Sequence, residues 1–243
     1  LDAPLILRQT PDNYSTNFNS KEIRIYFDEY VKVKDLQKQL IISPPMDTEP
    51  TVTPLGNASK YIQIIINDTL DENTTYAFNF GRSIVDNNEE NPYDYYRYVF
   101  STGNYIDSLR VTGRILDAEN RQPDDFVSVM LYEVDSTYND STVFSIDNIK
   151  PGTYKLIALK EENPNYTFQP KSDKIGFHEG FITVPTDSFY KITMFKEELD
   201  FKATRSKQVA GQKIAFAYEG NPKGTEIEAL GDSLKDLTTR IIK

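Results

Sequence analysis

Cysteine and tryptophan are absent from this chain of 243 residues, and histidine occurs once, as His178. Without cysteine the chain has no disulfide framework, no thiolate metal site and no cysteine nucleophile. One histidine is too few for an ordinary zinc site, and no G-x-S-x-G segment accompanies it to suggest a serine nucleophile. We interpret His178 as a packing residue in a loop or at a strand edge, and we expect no catalytic residue, metal or cofactor.

Long apolar runs and basic clusters are also lacking. No stretch of about 18 apolar residues occurs, so no membrane-spanning helix is predicted. The formal net charge is −10, which would repel a polyanion and argues against a nucleic-acid partner. The chain starts abruptly at Leu1 without a signal peptide, and we expect the sequence to be a processed or trimmed product.

What the chain does contain is aromatic residues in alternating patterns. Phenylalanine and tyrosine make up its 12% of aromatics, which suits β-sheets. Apolar residues alternate at 23–27, 62–66, 75–80 and 96–100, with turn-forming clusters between these runs. A short helical turn is predicted over Val33 to Leu40. The fold class is therefore predicted to be all-β, with tandem antiparallel β-sandwiches and the start of a third β region.

Three segments follow from this pattern. The first sandwich is predicted over 1–103 and the second over 104–200. Residues 201–243 are predicted to be a partial third β domain or an extension of the second. Within the second sandwich we expect Pro151 and Gly152 to form a tight turn, in which the glycine supplies a positive φ.

Motifs in the first segment resemble the bacterial Ig-like domain of the S-layer type. The segment from Pro11 onward matches that family's turn followed by an I-x-I-x-F strand, and Leu70 to Tyr76 matches its L-x-P-N-T-x-Y element. Tyr98 to Gly103 matches the end of the domain. Two turn positions depart from the family: Tyr14 replaces a common glycine and Glu72 a common proline.

The second segment resembles the transthyretin-like sandwich of carboxypeptidase regulatory domains and Cna B-type repeats. The resemblance is carried by Val111 to Ala118, Val127 to Tyr132 and, most specifically, Phe144 to Ala158. The stretch from Val134 to Val143 is shorter than the strand pair that the family has there.

In this order the two segments are similar to surface lipoproteins of Bacteroidetes. That resemblance implies a cell-surface, outer-membrane location and a lipid anchor upstream of Leu1, with a periplasmic face as the other option. It also implies O-glycosylation at Asp-(Ser/Thr)-(aliphatic or Thr) tripeptides. Five positions carry this pattern: Thr69, Ser108, Ser136, Ser141 and Ser233.

The candidate contact surface is the acidic loop starting at Asp86, with the tyrosine-rich strand after it. Tyr93, Tyr95 and Arg97 are predicted to share the exposed face of a strand whose other face buries Tyr96, Tyr98 and Phe100. Exposed tyrosine and arginine are typical of protein interfaces and also stack on sugars. The candidate contact residues are Asp86, Asn88, Tyr93, Tyr95 and Arg97.

Two groups of oxygen-bearing residues have catalytic or metal-binding alternatives. The segment 86–91 has oxygen ligands suited to calcium, but it lacks the glycine and the twelfth-position acid of an EF-hand, so a polar loop is predicted. Asp28 and Glu29 are adjacent acids, yet consecutive strand residues point to opposite faces and cannot converge on one bond.

The function expected from the sequence is that of a non-enzymatic outer-membrane surface lipoprotein. It would act as a structural or interaction subunit of an outer-membrane protein assembly, with protein partners. The alternative is a glycan- or host-protein-binding adhesin-like module. A third hypothesis, an accessory domain of an enzyme encoded beyond residue 243, rests on the resemblance of the second segment to peptidase-associated modules.

Overall fold

The structure is a computed structural model that describes residues 3–124, 127–132, 135–139, 143–163, 167–211 and 213–226. It contains nineteen strands and one four-residue helix among these residues, which confirms the all-β prediction. None of the described helices has the length and apolar character needed to cross a bilayer. The chain divides into two compact units, residues 1–196 and 197–243.

The N-terminal part of the first unit contains eight strands and the helix. Their bounds are β1 (Ile6–Thr10), β2 (Glu22–Val33), α1 (Leu36–Gln39), β3 (Ile41–Ser43), β4 (Thr51–Thr53), β5 (Ser59–Ile65), β6 (Thr75–Asn79), β7 (Ile84–Asp86) and β8 (Arg97–Ser101). One sheet has the order β1-β2-β5-β4, with β7 also paired to β2, and the other has the order β3-β6-β8.

The two sheets enclose an aromatic core. Alternate residues of β2 and β5 are fully buried, as the period-two pattern predicts, because one face of each strand points to the facing sheet. On β8, Tyr98 and Phe100 are both buried, and Phe100 stacks on Phe18 with 3.9 Å between ring centroids. Residues before β2 cover the open side of β8, where the Tyr14 amide donates to the Val99 carbonyl over 2.7 Å.

The rest of the first unit contains seven strands. Their bounds are β9 (Leu109–Asp117), β10 (Val127–Tyr132), β11 (Asp135–Asn139), β12 (Val143–Ile149), β13 (Gly152–Lys160), β14 (Lys174–Val184) and β15 (Phe189–Lys196). They form one path, β11-β10-β13-β14-β15-β9-β12, in which β9 and β15 are parallel and the other pairs antiparallel. Side chains of β10 and β12, which lie towards opposite ends of this strand order, share one hydrophobic core. The sheet therefore folds over on itself as a sandwich.

The two sandwiches have separate hydrophobic cores within the same compact unit. The first core runs from Phe18 to Phe100 and the second from Val111 to Met194. The predicted domain boundary at residue 103 lies between them. That division, and the one at residue 200, stay predictions.

The second unit is described over residues 197–211 and 213–226. It contains two strand pairs: β16 (Lys202–Ala203) with β19 (Tyr218–Glu219), and β17 (Lys207–Ala210) with β18 (Lys213–Ala215). Ile214 and Phe216, which alternate in the sequence, are both exposed. The described part of this unit therefore contains two short antiparallel strand pairs, with β17 and β18 lying between β16 and β19 in the chain.

Candidate functional site

Asp86, proposed above as a contact residue, is buried, with 1% of its surface exposed. Its carboxylate accepts three backbone N–H groups: Asn88 over 2.7 Å, Glu89 over 2.7 Å and Asn91 over 2.6 Å. Aspartate commonly caps the backbone of its own turn in this way. The prediction is wrong for Asp86, because its side chain holds the loop together from inside. Asn88 is exposed on that loop and stays a candidate contact residue.

The hydrogen bonds decide the ionisation of Asp86. Burial by itself would raise the pKa of this carboxyl group, because it disfavours the charged form. The backbone N–H groups of Glu89, Asn91 and Asn88 outweigh burial, and the net pKa lies below its ordinary value. The same loop affects Glu29, whose pKa is raised by desolvation and by the nearby Asp86, Asp28 and Glu89 carboxylates.

This arrangement predicts a pH effect for Asp86→Asn. The folded-state pKa of Asp86 lies below its unfolded value of about 3.9. The carboxylate therefore stabilises the fold above that pH, and this contribution is lost as the pH falls through the folded-state pKa. The variant should be less stable than the wild type at pH 7, and its stability should fall less steeply below about pH 4. Urea unfolding at a series of pH values measures both, with Asp47→Asn, an exposed acid, as the control. Parallel pH curves for wild type and Asp86→Asn would contradict the assignment.

Tyr93, Tyr95 and Arg97 do not line one face of a strand. Strand β8 begins only at Arg97, and Tyr95 has a φ of 55°, outside the extended region. Tyr93 is half-buried and packs edge-on against Tyr96 at 5.7 Å between ring centroids. Tyr95 is 46% exposed, so it is the more exposed of the two tyrosines. Sequence alternation misses this because a turn, and no strand, precedes β8.

Arg97 points to the second sandwich. Its Nη1 donates to Asp147 Oδ2 over 2.9 Å, and its Nη2 donates to Asn148 Oδ1 over 2.9 Å. The side chains of Arg97 and Asp147 are only 27% and 28% exposed. Charge-assisted bonds in partly buried sites are stronger and less screened than surface pairs. Arg97 therefore joins the two sandwiches and is no open contact residue, which corrects the prediction.

Asn148 reaches this position through a β-bulge. The register between β12 and β9 shifts between Asp147 and Ile149, and Asn148 has a φ of 65°. Asparagine tolerates this left-handed conformation better than most residues, and a bulge re-aims the side chain of its residue. The expected positive φ at Gly152 is wrong, since the left-handed residue before β13 is Asn148.

The connection between the sandwiches is fixed at its other end by Asp107. Thr75 Oγ1 on β6 donates to Asp107 Oδ2 over 2.8 Å and accepts the Asp107 N–H over 2.9 Å. Asn148 Nδ2 donates to the Asp107 carbonyl over 2.9 Å. Asp107 is 6% exposed, so these bonds are shielded from water. We call Thr75, Arg97, Asp107, Asp147 and Asn148 the junction.

The junction links the two sandwiches through polar contacts, and sequence reasoning missed four of its five members. Asp147 and Asn148 precede a turn in the sequence, and that was the only signal that they leave the regular strand pattern. Across the described parts of the chain, no group of three or more His, Cys, Asp or Glu side chains is placed to hold a metal.

The remaining candidate residues are spread over the surface or fall outside the described residues. Thr69 and Ser108 are exposed, next to Asp68 and Asp107. Ser136 lies in β11, while Ser141 and Ser233 lie outside the described residues. His178 lies in β14, where its ring packs edge-on against Tyr190 at 5.3 Å between centroids, in agreement with a packing role.

Comparisons with known proteins identify the first sandwich. Residues 2–102 match the bacterial Ig-like domain family. The resemblance to a bacterial Ig-like domain that the sequence motifs indicated is therefore confirmed for this part of the chain. None of the curated proteins matches the chain.

Two solved structures are similar over longer stretches. The N-terminal part of the bacterial S-layer protein SbsC has 12% identity and a TM-score of 0.27, covering 65% of this chain and 40% of that one. BcpA, the major pilin subunit of Bacillus cereus, has 12% identity and a TM-score of 0.23, covering 78% of this chain and 69% of that one. At these TM-scores neither likeness bears on function.

Proposed function

We propose that this protein, with a bacterial Ig-like domain held firmly against a second β-sandwich, is a non-enzymatic structural or interaction subunit of an outer-membrane protein assembly. The junction is the observation that carries the proposal. Tandem domains usually meet through flexible linkers and small interfaces. Here the linker is tied down by Asp107, and an ion pair connects β8 to β12.

A fixed junction suits a subunit that holds other components of an assembly at a set distance and orientation. A stiff pair of sandwiches presents loops at a defined position without the entropy cost of ordering a linker on binding. The acidic surface, with a formal net charge of −10, favours solubility over binding to polyanions. These properties support a spacer or assembly role.

The finer parts of the proposal rest on the family resemblances. The second sandwich is taken as transthyretin-like or Cna B-type, which is supported by the parallel pairing of its first and last strands, β9 and β15. A lipid anchor preceding Leu1 would hold the protein at the cell surface. The exposed positions of Thr69 and Ser108 are compatible with O-glycosylation there.

The test uses the full-length protein, tagged at its C-terminus and expressed in its native cells. We expect protease added to intact cells to cleave it, and mild detergent extraction followed by affinity purification to recover it with membrane proteins in constant ratio. The Arg97→Ala variant should reach the surface but recover less partner, while Lys38→Gln, which changes an exposed cation outside the junction, should behave as wild type. Recovery of the wild-type protein alone, or from the cytosol, would reject the proposal.

The alternative is a glycan- or host-protein-binding module, and one face of the first sandwich favours it. On the outer side of β2 and β5, the rings of Tyr26 and Tyr61 lie 5.7 Å apart. The Arg8 guanidinium stacks over Tyr26 at 4.0 Å from the ring centroid. Binding on glycan or host-protein arrays that Tyr61→Ala abolishes would support this alternative, and arrays without any binding would remove it.

A further inference from the structure

Two cations lie side by side on the outer face of the second sandwich. Arg114 on β9 and Lys191 on β15 are register partners in the parallel pair. Both are exposed, and neither forms an ion pair with any residue that the structure describes. Like charges directly opposite each other on neighbouring strands are destabilising. Since no described carboxylate pairs with either cation, this face is locally positive in a chain whose net charge is −10.

A cavity of about 310 Å³ adjoins this pair. Its lining residues are Leu116, Asp117, Ala118, Arg121, Lys191 and Thr193. The volume is at the lower end of the range of ligand pockets and fits a ligand of one sugar ring or one amino acid. Leu116 and Ala118 provide an apolar wall, and the Thr193 hydroxyl can donate or accept.

The acid in the lining does not cancel the positive charge. Asp117 Oδ2 accepts Lys174 Nζ over 2.6 Å, and its Oδ1 accepts the Glu119 and Asn120 amides over 2.9 and 3.0 Å. The hydrogen bond from Lys174, followed by that from the Asn120 amide, lowers the pKa of Asp117. Since Asp117 is already paired, the charge left facing the cavity comes from Lys191 and Arg121.

The backbone of Arg121 is held in an unusual conformation. Its φ is 58°, in the left-handed region that few residues other than glycine occupy. Its N–H donates to the Asp117 carbonyl over 3.0 Å, which closes the turn at the rim of the cavity. Backbone strain of this kind concentrates at binding sites, where it positions a side chain.

We propose that this cavity binds a carboxylate ligand of the size of a single uronic acid. The carboxylate pairs with Arg121 and Lys191, a ring hydroxyl bonds to Thr193, and the ring packs on Leu116 and Ala118. Guanidinium and ammonium groups are the usual partners of a carboxylate. The site is independent of the proposed structural role, since none of its residues belongs to the junction.

The test is a titration of the 243-residue protein with glucuronate at low salt, followed by NMR chemical shifts. Binding should be saturable, weaken at high salt and be absent with glucose. Lys191→Gln and Arg121→Gln should each weaken it about tenfold or more, because each removes one charge-assisted bond. Lys38→Gln makes the same charge change on the exposed surface of α1 and should bind as wild type.

Two further readouts complete the test. Without ligand, Lys191→Gln should raise the melting temperature, because it removes the repulsion from Arg114. Glutamate should bind more weakly than glucuronate; equal affinities would overturn the sugar-acid assignment. No saturable binding of either acid, or an equal loss in Lys38→Gln and Lys191→Gln, would overturn the site itself. A lowered melting temperature in Lys191→Gln would contradict the repulsion on which the site is argued.

Discussion

Replacing Phe100 with alanine is expected to lower the free energy of unfolding by about 3–5 kcal/mol. Phe100 is fully buried at the centre of the first core. Its ring lies 3.9 Å from that of Phe18 and 5.5 Å from that of Tyr76, measured between centroids. The substitution removes these contacts and leaves a cavity between two sheets that cannot close over it.

Phe181→Ala is the matched control. It deletes the same atoms from a side chain that is 73% exposed, in strand β14. A change of about 0.5 kcal/mol or less is expected there, as for most surface substitutions. Equilibrium urea unfolding measures both variants. Similar losses for the two would show that Phe100 does not lie in a tightly packed core.

Arg97→Ala is expected to loosen the contact between the two sandwiches while both stay folded. The substitution removes the bonds to Asp147 and Asn148 and leaves the Asp147 carboxylate with Arg110, whose Nε is 3.4 Å away. Loss of hydrogen bonds to a charged, partly buried group costs about 1–3 kcal/mol. We expect the cost to fall on the junction, because both hydrophobic cores remain intact.

Arg110→Ala is the control for this prediction. Arg110 pairs with the same carboxylate from the solvent side, where its side chain is 71% exposed. Exposed pairs contribute little, so this variant should keep the wild-type arrangement. Small-angle scattering and backbone relaxation measure the effect. Greater mobility of one sandwich relative to the other, with a larger radius of gyration, is expected for Arg97→Ala alone, and identical behaviour of the two variants would contradict the role given to Arg97.

Local alternation was enough to predict the faces of the strands. Ile23, Ile25 and Phe27 are buried as predicted, and so are Tyr98 and Phe100. The pattern succeeds because each strand of a sandwich turns one face to the core. Buried and exposed side chains therefore alternate along the strand. The short helix also lies where it was predicted, at Leu36–Gln39.

The candidate site could not be predicted in the same way. Arg97 and Asp147 are 50 residues apart in the sequence. They form a pair only because of the way the two sandwiches meet, and a local sequence pattern contains no information about that contact. For Asp86 the difficulty is different, because its hydrogen bonds are to residues of its own loop. The acidic and polar residues around it made the whole loop resemble an exposed surface, although the Asp86 side chain is buried. Asn148 adopts a left-handed conformation that interrupts β12, and Tyr95 adopts one in the turn before β8.

The most direct test of the rigid junction is the measurement of residual dipolar couplings on the wild-type protein. Couplings from residues 3–103 and from residues 109–196 are fitted separately to the structure. A rigid junction predicts one alignment tensor, with the same magnitude and orientation for both sets. Two different tensors, or a clearly weaker alignment of one sandwich, would show that the sandwiches reorient freely and would contradict the account.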